Sequence, residues 1–204
     1  DEFPEVKYLR NPGVRPSDDE NPLGAWYVKT SISGAIKGPL AGKRIAVKDN
    51  ICVAGIAMAN GSSTLDGFTP ELDATVVTRI LDAGGEIAGK AVCEYFCAGG
   101  SSNTSATGPV HNPLRRGYSA GGSSSGSAAL AAAGEVDMSL GCDQGGSVRI
   151  PAGFTGIFGH KPSFGRVPAY PASQFPNLSH VGPMTRTVGD AALMLNVLSL
   201  ADAR

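Results

Sequence analysis

Charged residues are scarce in this 204-residue sequence, and neither sign of charge is concentrated in one place. Asp, Glu, Lys and Arg together make up 17% of the residues, and the formal net charge is -1. The longest cationic runs are the pairs Lys43-Arg44 and Arg115-Arg116. Surfaces that bind nucleic acid or anionic membranes need clustered positive charge. We therefore expect no direct contact with nucleic acid and none with a membrane.

Cysteines and long apolar runs are scarce as well. Cys52, Cys93, Cys97 and Cys142 form no Cys-x-x-Cys pair and are too few for a disulfide scaffold, so we expect free thiols in a reducing compartment. Cys93 and Cys97 with His111 lack the fourth ligand of a structural zinc site, so we expect no metal and no other cofactor. No apolar run is long enough to cross a membrane, and no charged-then-apolar leader opens the chain. These features predict a cytoplasmic protein.

Glycine, in contrast, is abundant, with 28 residues. Many of the glycines frame two serine-containing segments, Gly121–Ser127 and Gly141–Ser147. Glycine lets the backbone turn sharply or approach a ligand closely. This distribution is typical of a functional site.

Hydrophobic periodicity predicts alternating strands and helices after a start rich in proline, glycine and charge. We interpret residues 1–40 as an extended N-terminal arm. Alternation, helical spacing and capping residues then predict the following elements: a strand at Ile45–Lys48, a helix capped by Asp73 that runs through Ala83, a strand at Glu86–Ala91, a helix at Ala128–Ala133 that Gly134 stops, a strand at Val136–Leu140, a helix that begins near Ser147, a strand at Ile157 and Phe158, and a helix at Ala191–Leu200 behind a capping box of Thr187 and Asp190. This alternation is typical of an α/β layered fold.

Three residues in these elements are suited to nucleophilic catalysis. A serine hydroxyl is a poor nucleophile unless a base removes its proton during attack on a carbonyl. Lys48 ends an apolar strand, where a charged amine is unusual, and a lysine can act as that base while its amine is neutral. Ser147 follows two glycines whose backbone N–H groups can converge on an oxyanion, and Ser123 lies before a predicted helix. Together they suggest a nucleophile, a hydroxyl relay and an amine base.

Each of these residues also has an ordinary structural interpretation. Lys48 would be an exposed lysine at a strand end, Ser147 a capping residue after a glycine turn, and Ser123 part of a flexible Gly/Ser linker. Asp143 and Arg149 flank Ser147, where they either lock the loop with an ion pair or face solvent. The co-occurrence of the three segments favours the catalytic interpretation.

The three segments resemble the amidase signature family, the serine hydrolases that use Ser, Ser and Lys. The resemblance rests on Gly-Gly-Ser-Ser-Ser-Gly-Ser at 121–127 and Asp-Gln-Gly-Gly-Ser-Val-Arg at 143–149, and it covers most of the chain from about Gly38. It implies an α/β fold with a mixed sheet flanked by helices on both faces. Residues 1–204 would form a single amidase domain that is truncated at its C-terminus and holds the N-terminal half of the fold.

The resemblance also implies a role for each residue. Ser147 would be the nucleophile that forms an acyl-enzyme, Ser123 a relay serine that follows a cis peptide bond, and Lys48 the base. The remaining implied site residues are the backbone of the oxyanion hole at Gln144, Gly145, Gly146 and Ser147, and the supporting side chains of Ser124, Asp143 and Arg149. The implied reaction is hydrolysis of a small linear carboxylic amide to carboxylate and ammonia. The enzyme would act on this small molecule either as a monomer or as a homo-oligomer.

Within the family, a second function is open. A glutaminase-type subunit would pass ammonia to a partner that makes an amide on acylated tRNA. Cys142 and Gln144 in the nucleophile segment resemble stand-alone bacterial amidases more closely, so we expect a stand-alone amidase.

Two functions outside the family are also open. Residues 122–126 match Gly-x-Ser-x-Gly, which would make Ser124 the nucleophile of an α/β-hydrolase esterase with Asp143 and either His160 or His180. The preceding segment is too polar for the buried strand that this arrangement needs. A non-enzymatic phosphate-binding module would use the glycine loops at helix N-termini. No Gly-x-x-x-x-Gly-Lys-Ser/Thr segment follows a predicted strand to support it.

Overall fold

The computed structural model describes residues 5–171 and 175–200. In chain order its strands and helices are β1 (Trp26–Ser33), β2 (Arg44–Lys48), α1 (Thr75–Asp82), β3 (Glu86–Ala91), β4 (His111–Asn112), β5 (Arg115–Ser119), α2 (Ser125–Ala133), β6 (Met138–Asp143), α3 (Arg149–Thr155), β7 (Phe158–Gly159), β8 (His180–Thr185) and α4 (Val188–Leu198). The main sheet has six strands in the order β1-β3-β2-β6-β8-β7, and β4 pairs with β5 in a separate sheet.

The centre of the main sheet is covered on both faces. β2 runs parallel to β3 and to β6, and its residues Ile45, Ala46 and Val47 are fully buried. Because successive side chains of a strand point to opposite faces, both faces of β2 must be packed against other elements. α1 packs against α4 and α2 packs against α3, and both pairs contact the sheet. This is the mixed sheet between helices that the sequence predicts.

The strand directions bring two of the sequence motifs to one edge of the sheet. β2 and β6 are parallel neighbours, so their carboxyl ends meet at the same edge. Lys48 is the last residue of β2, and Asp143 is the last residue of β6. Ligand sites of α/β sheets lie outside the carboxyl ends of such strands.

α2 is buried along most of its length, and serine hydroxyl groups join it to β6. Its residues 125–131 are all buried, as expected for a helix of small residues inside a layered fold. Ser127 Oγ donates to the carbonyl of Leu140 at 2.8 Å, and Ser139 Oγ donates to the carbonyl of Ser127 at 2.7 Å. The helix ends at Gly134, whose φ of 75° is the left-handed cap that the sequence predicts.

The prediction of an N-terminal arm missed strand β1. Residues 26–33 form an edge strand antiparallel to β3, and Trp26, Val28 and Ile32 are buried. The register shifts twice along this pairing. Polar residues at these irregularities interrupt the alternation by which a strand is recognised. Residues 1–4 of the predicted arm lie outside the described part of the chain.

The prediction that Asp73 caps α1 is wrong. The N-cap is Ala74, which makes no side-chain capping bond. The Asp73 carboxylate instead accepts from the backbone N–H of Ala54 at 2.8 Å and forms an ion pair with Arg10. A carboxylate that is held by these distant partners does not reach the first turn of the helix.

The strand predicted at residues 136–140 begins later and runs further, to Asp143. Antiparallel pairing with β8 extends β6 as far as the pair of Asp143 and His180. β8 was not predicted, because Gly182 and Pro183 interrupt the alternation of its residues.

The two C-terminal helices also differ from the prediction in their bounds. α3 begins at Arg149, two residues after the predicted start near Ser147. α4 begins at Val188, and Thr187 caps it as predicted, because its Oγ1 accepts from the backbone N–H of Asp190 at 3.1 Å. The Asp190 carboxylate accepts from Thr187 Oγ1 at 2.7 Å, so the two side chains also bond to each other. Among the described residues, no helix is long and apolar enough to cross a membrane.

Candidate active site

Lys48 is a buried lysine, not the exposed strand-end lysine of the structural alternative. Its side chain is fully buried. Its Nζ donates to Ser123 Oγ at 2.7 Å and to the carbonyl oxygen of Cys142 at 3.1 Å. Among the described residues, no carboxylate forms an ion pair with it. The amine is therefore surrounded by neutral oxygen acceptors.

A second buried lysine lies close by and has the opposite arrangement. Lys90 Nζ is 3.2 Å from Asp49 Oδ1, and both side chains are buried. The other oxygen of Asp49 accepts from the backbone N–H groups of Ala59 at 3.0 Å and Asn60 at 2.7 Å. Burial raises the pKa of Asp49, while the charge of Lys90 and these hydrogen bonds oppose the increase. Lys90 is thus one half of a structural ion pair.

Ser123 is held in place at the start of α2, which excludes the flexible-linker alternative. Its side chain is fully buried, and the peptide bond that joins it to Gly122 is cis. Its carbonyl accepts from the backbone N–H of Glu94 at 3.1 Å. A Cβ at Gly122 would lie 2.0 Å from the carbonyl oxygen of Ser101, so this position requires glycine.

Ser124 does not have the contacts of an α/β-hydrolase nucleophile. Its Oγ accepts from the backbone N–H of Cys142 at 3.2 Å and lies 3.4 Å from the carbonyl of the same residue. The strand before it, β5, is exposed along its length and belongs to the small sheet. His180 Nδ1 contacts the backbone carbonyls of Asp143 and Leu178 instead. The serine hydroxyl therefore serves to join α2 to β6.

Ser147 lies in a loop that Asp143 organises. The Asp143 carboxylate accepts from the backbone N–H of Gly146 at 2.8 Å and from that of Val148 at 3.1 Å. Arg149 donates to both of its oxygens, from Nε at 3.0 Å and from Nη2 at 3.1 Å. The ion pair that the sequence suggested is therefore formed. The Asp143 carboxylate, held by Arg149, therefore fixes the backbone on both sides of Ser147.

The two serine segments contact each other directly. The backbone N–H of Ser124 donates to the carbonyl of Ser147 at 3.3 Å. Ser147 is 8% exposed, whereas Lys48 and Ser123 are fully buried. The Lys48–Ser123 hydrogen bond therefore lies in the interior, and Ser147 lies nearer the surface.

One of the predicted oxyanion donors, the backbone N–H of Gly146, already makes a hydrogen bond within the protein. The N–H of Gly146 donates to Asp143, as described above. Gly146 has a φ of 126°, and a Cβ there would lie 2.7 Å from Ile150 Cδ1. The glycine is thus needed for the loop conformation, and an oxyanion would have to use N–H groups other than that of Gly146.

The Asp143 carboxylate makes the loop sensitive to acid. Burial alone would raise the pKa of Asp143, but hydrogen bonds from Arg149, Val148 and Gly146 outweigh it and lower the pKa below the ordinary value of 3.8. A carboxylate with a lowered pKa in the folded state stabilises the fold above its ordinary value, and this contribution is lost as the pH falls through the folded value.

We predict that Asp143→Asn lowers the free energy of unfolding most above pH 3.8 and that the difference from wild type shrinks as the solution is acidified below it. Chemical unfolding at a series of pH values measures this difference. The exposed Asp19 provides a control, because Asp19→Asn should change stability little at any pH. A difference for Asp143→Asn that does not depend on pH would contradict the assignment.

A buried group of Asn60, Cys93 and Cys97 was not predicted from the sequence. Asn60 Oδ1 accepts from two thiols, from Cys97 at 3.2 Å and from Cys93 at 3.6 Å. No sequence motif marks Asn60, and the pattern of the cysteines suggests only a comparison with metal ligands. In the described part of the chain, no group of three or more His, Cys, Asp and Glu side chains is arranged to hold a metal ion.

Comparison with known proteins identifies the family. A family model described as Amidase matches residues 18–204. An enantioselective amidase from Rhodococcus rhodochrous is 57% identical over 190 residues, which are 92% of this chain and 36% of that enzyme. A glutamyl-tRNA(Gln) amidotransferase subunit from Haloarcula marismortui is 47% identical over 173 residues, which are 84% of this chain and 41% of that protein.

A solved structure agrees with these matches. The crystal structure of a glutamyl-tRNA(Gln) amidotransferase subunit from Thermotoga maritima superposes with a TM-score of 0.80 at 36% identity, over 89% of this chain and 40% of that one. The chain thus spans well under half the length of these relatives. Both the sequence match and the shared fold lead to the same conclusion: the chain belongs to the amidase family, the amidase signature proteins that its serine segments resemble.

Proposed function

We propose that the protein hydrolyses a small linear carboxylic amide to a carboxylate and ammonia, with Ser147 as nucleophile, Ser123 as relay and Lys48 as base. The observation that carries this proposal is the hydrogen bond of 2.7 Å between Lys48 Nζ and Ser123 Oγ, in a fully buried position. A buried lysine that pairs with a hydroxyl and a carbonyl, and with no described carboxylate, has the surroundings expected of a base and not of a structural ion pair.

The proposed proton path begins at the nucleophile. Ser147 loses its proton to Ser123 as it attacks the amide carbonyl, and Ser123 passes its own proton to the Lys48 amine. The inner half of this path follows the Lys48–Ser123 hydrogen bond. The outer half is supported by the backbone contact of 3.3 Å between Ser124 N and Ser147 O, which holds the two serine segments together. The proton then returns along the same path to the departing ammonia.

The developing oxyanion needs preorganised donors close to Ser147. Such donors contribute about 3 to 4 kcal/mol each to the transition state. We propose the backbone N–H groups of Gln144, Gly145 and Ser147 for this role, since that of Gly146 donates to Asp143. The Asp143–Arg149 ion pair would keep these groups in place.

A second candidate function is supported by a specific observation. The relative from Haloarcula marismortui, 47% identical to this chain, is a subunit of a glutamyl-tRNA(Gln) amidotransferase. The same three residues would then hydrolyse glutamine and supply ammonia to a partner protein. The identity of 57% to an enantioselective amidase favours the stand-alone reaction.

Hydrolysis of simple amides by the purified full-length protein, with no partner present, separates the two candidates. The proposed amidase releases ammonia from small aliphatic or aromatic amides. A glutaminase-type subunit would act on glutamine and would depend on its partner. No hydrolysis of simple amides by the protein alone, with glutamine hydrolysis that appears only after a partner subunit is added, would therefore replace the first proposal with the second.

We predict that Ser123→Ala slows acylation severely but leaves the fold intact, because alanine fills the buried site and cannot carry a proton. Loss of a general acid–base contribution reduces rates by about 10²- to 10⁴-fold. Single-turnover acylation by a chromogenic amide measures the step directly. Ser125→Ala, one residue after the cap of the same helix, is the matched control. An unchanged acylation rate in Ser123→Ala would make this serine structural.

A further inference from the structure

Two of the four cysteines form a buried pair that the proposed mechanism does not use. The thiols of Cys97 and Cys93 donate to the same acceptor, Asn60 Oδ1, at 3.2 Å and 3.6 Å. Cys93 is fully buried, Cys97 is 7% exposed, and both are free thiols. Because both sulfur atoms contact one oxygen atom, they are neighbours in the interior.

A tight turn brings Cys97 back towards Cys93. The backbone N–H of Cys97 donates to the carbonyl of Glu94 at 2.9 Å, and that of Phe96 donates to the carbonyl of Asn60 at 3.0 Å. Phe96 and Cys97 have φ values of 44° and 57°, in the left-handed region that non-glycine residues rarely adopt. Such a backbone persists only where the surrounding structure fixes it. The turn therefore holds the two sulfur atoms near each other.

A cavity leads from the surface to one of these thiols. It has a volume of about 100 Å³, and it is lined by exposed residues that include Arg15 and Thr107 and by buried residues that include Asp49 and Cys93. This volume corresponds to about three water molecules, at about 30 Å³ for each. A reagent with two heavy atoms, such as hydrogen peroxide, can therefore reach the pair from the side of Cys93.

The other two cysteines have neighbours of a different kind. The Cys52 sulfur contacts the thioether of Met58 at 4.0 Å, and the Cys142 sulfur accepts from Gln144 Nε2 at 3.3 Å. Neither a thioether nor an amide can form a disulfide with a thiol. Cys52 and Cys142 therefore provide controls within the same protein.

We propose that Cys93 and Cys97 are a site of reversible oxidation, at which hydrogen peroxide converts the two thiols into a disulfide. One sulfur attacks the O–O bond, which breaks to give a sulfenic acid and water. The other sulfur then attacks the sulfenic sulfur, the S–S bond forms, and the oxygen leaves as a second water molecule. The two sulfur atoms lose two electrons, which reduce the peroxide. A dithiol reductant reverses the change by thiol–disulfide exchange.

The disulfide changes the surroundings of Ser123. A disulfide has no hydrogen to donate, so Asn60 Oδ1 loses both thiol donors. Bond formation draws the two sulfur atoms together and moves the turn between them. Glu94 lies in this turn and donates its backbone N–H to the carbonyl of Ser123 at 3.1 Å. Oxidation is therefore expected to displace Ser123 and to lower amide hydrolysis, a consequence that rests on the proposed function, unlike the disulfide itself.

Peptide mapping of the full-length protein after treatment with hydrogen peroxide tests the inference. Trypsin cuts after Lys90 and Arg115, which leaves Cys93 and Cys97 together on one peptide, residues 91–115. After peroxide treatment of the folded protein and alkylation of the remaining thiols, this peptide is expected to have lost two hydrogen atoms and to carry no alkyl group. Dithiothreitol before alkylation should restore two alkylated thiols.

The other cysteines and one variant serve as controls. Cys52 and Cys142 lie on two further tryptic peptides, and both should still be alkylated when peptide 91–115 is oxidised. In Cys97→Ser, peroxide should leave a sulfenic acid at Cys93, which dimedone traps, and no disulfide. In wild type, a disulfide from Cys93 or Cys97 to a third cysteine, or two intact thiols on peptide 91–115 when Cys52 is already oxidised, would overturn the proposal.

Amide hydrolysis by the same samples tests the consequence for catalysis. Wild type is expected to lose activity in proportion to the fraction of disulfide and to regain it with dithiothreitol, whereas Cys93→Ser should keep its own starting activity through the same treatment. A disulfide without any loss of activity would overturn the effect on Ser123. If the untreated protein hydrolysed no amide, the proposed function would fail, while the peptide map would still decide whether the thiols form the disulfide.

Discussion

Replacing Lys48 with methionine is expected to reduce kcat/KM for amide hydrolysis by about 10²- to 10⁴-fold, the loss usual for a general base. Methionine fills a similar apolar volume, so the buried position should stay packed and the fold intact. The variant lacks the amine that hydrogen bonds to Ser123 Oγ at 2.7 Å and is proposed to accept its proton. Steady-state kinetics of the full-length protein, with circular dichroism as a check of folding, measure the effect.

Two further variants separate the chemistry of Lys48 from its charge. Lys48→Arg should also be inactive, because a guanidinium group stays protonated and cannot accept a proton. Lys43 lies just before the start of β2 and pairs with Asp190 at 3.4 Å, so Lys43→Met should keep nearly full activity. More than about a tenth of wild-type activity in Lys48→Met, against the losses usual for a base, would contradict the assignment.

Replacing Lys90 with methionine is expected to have its largest effect on stability. The substitution leaves the Asp49 carboxylate buried without the ammonium group that lies 3.2 Å from it. Removing one partner of a buried ion pair costs about 3 to 5 kcal/mol of unfolding free energy, because the remaining charge is not compensated. Equilibrium chemical unfolding of wild type and Lys90→Met measures the loss.

The double variant Asp49→Asn with Lys90→Met distinguishes this explanation from a simple packing defect. It removes the uncompensated charge, so it should be more stable than Lys90→Met alone. A double variant that is less stable than Lys90→Met would show that the two side chains do not act as a pair. Replacement of Lys90 is expected to lower stability, because its partner is the Asp49 carboxylate. Replacement of Lys48 is expected to lower activity, because its partners are the Ser123 hydroxyl and a backbone carbonyl.

Much of the fold could be predicted because local patterns determine it. The strands predicted at Ile45–Lys48 and Glu86–Ala91 both form, as the parallel neighbours β2 and β3. Gly134 ended α2 as predicted, since glycine readily adopts the left-handed cap. The amidase family itself was identified from the two serine segments, and the family model confirmed it.

The errors occurred where distant partners decide the structure. β1 and β8 depend on pairing with β3 and β6, and bulges, glycine or proline hide their alternation. Asp73 is a good capping residue by type, yet Arg10 and Ala54 hold it elsewhere. A single sequence gives no information about such contacts between separated segments.

The same limit applies to the candidate site. The serine segments and Lys48 were recognisable because their residue types are unusual in their places. The contact between Cys97 and Asn60 was not, because it depends on the fold bringing residues 60 and 97 together. Engagement of the Gly146 N–H by Asp143 likewise requires the folded loop.

Covalent labelling of the full-length protein by a fluorophosphonate tests the central claim most directly. The reagent reacts with an activated serine beside an oxyanion site and not with inert serines. No Lys or Arg lies between Arg116 and Arg149, so trypsin would leave Ser123, Ser124 and Ser147 on one peptide. Cyanogen bromide separates them by cutting after Met138.

We predict that the label is found on the fragment that begins at Ser139 and that it disappears in Ser147→Ala. Label on the preceding fragment, which carries Ser123 and Ser124, or no label at all on a folded full-length protein, would contradict the assignment of Ser147 as the nucleophile.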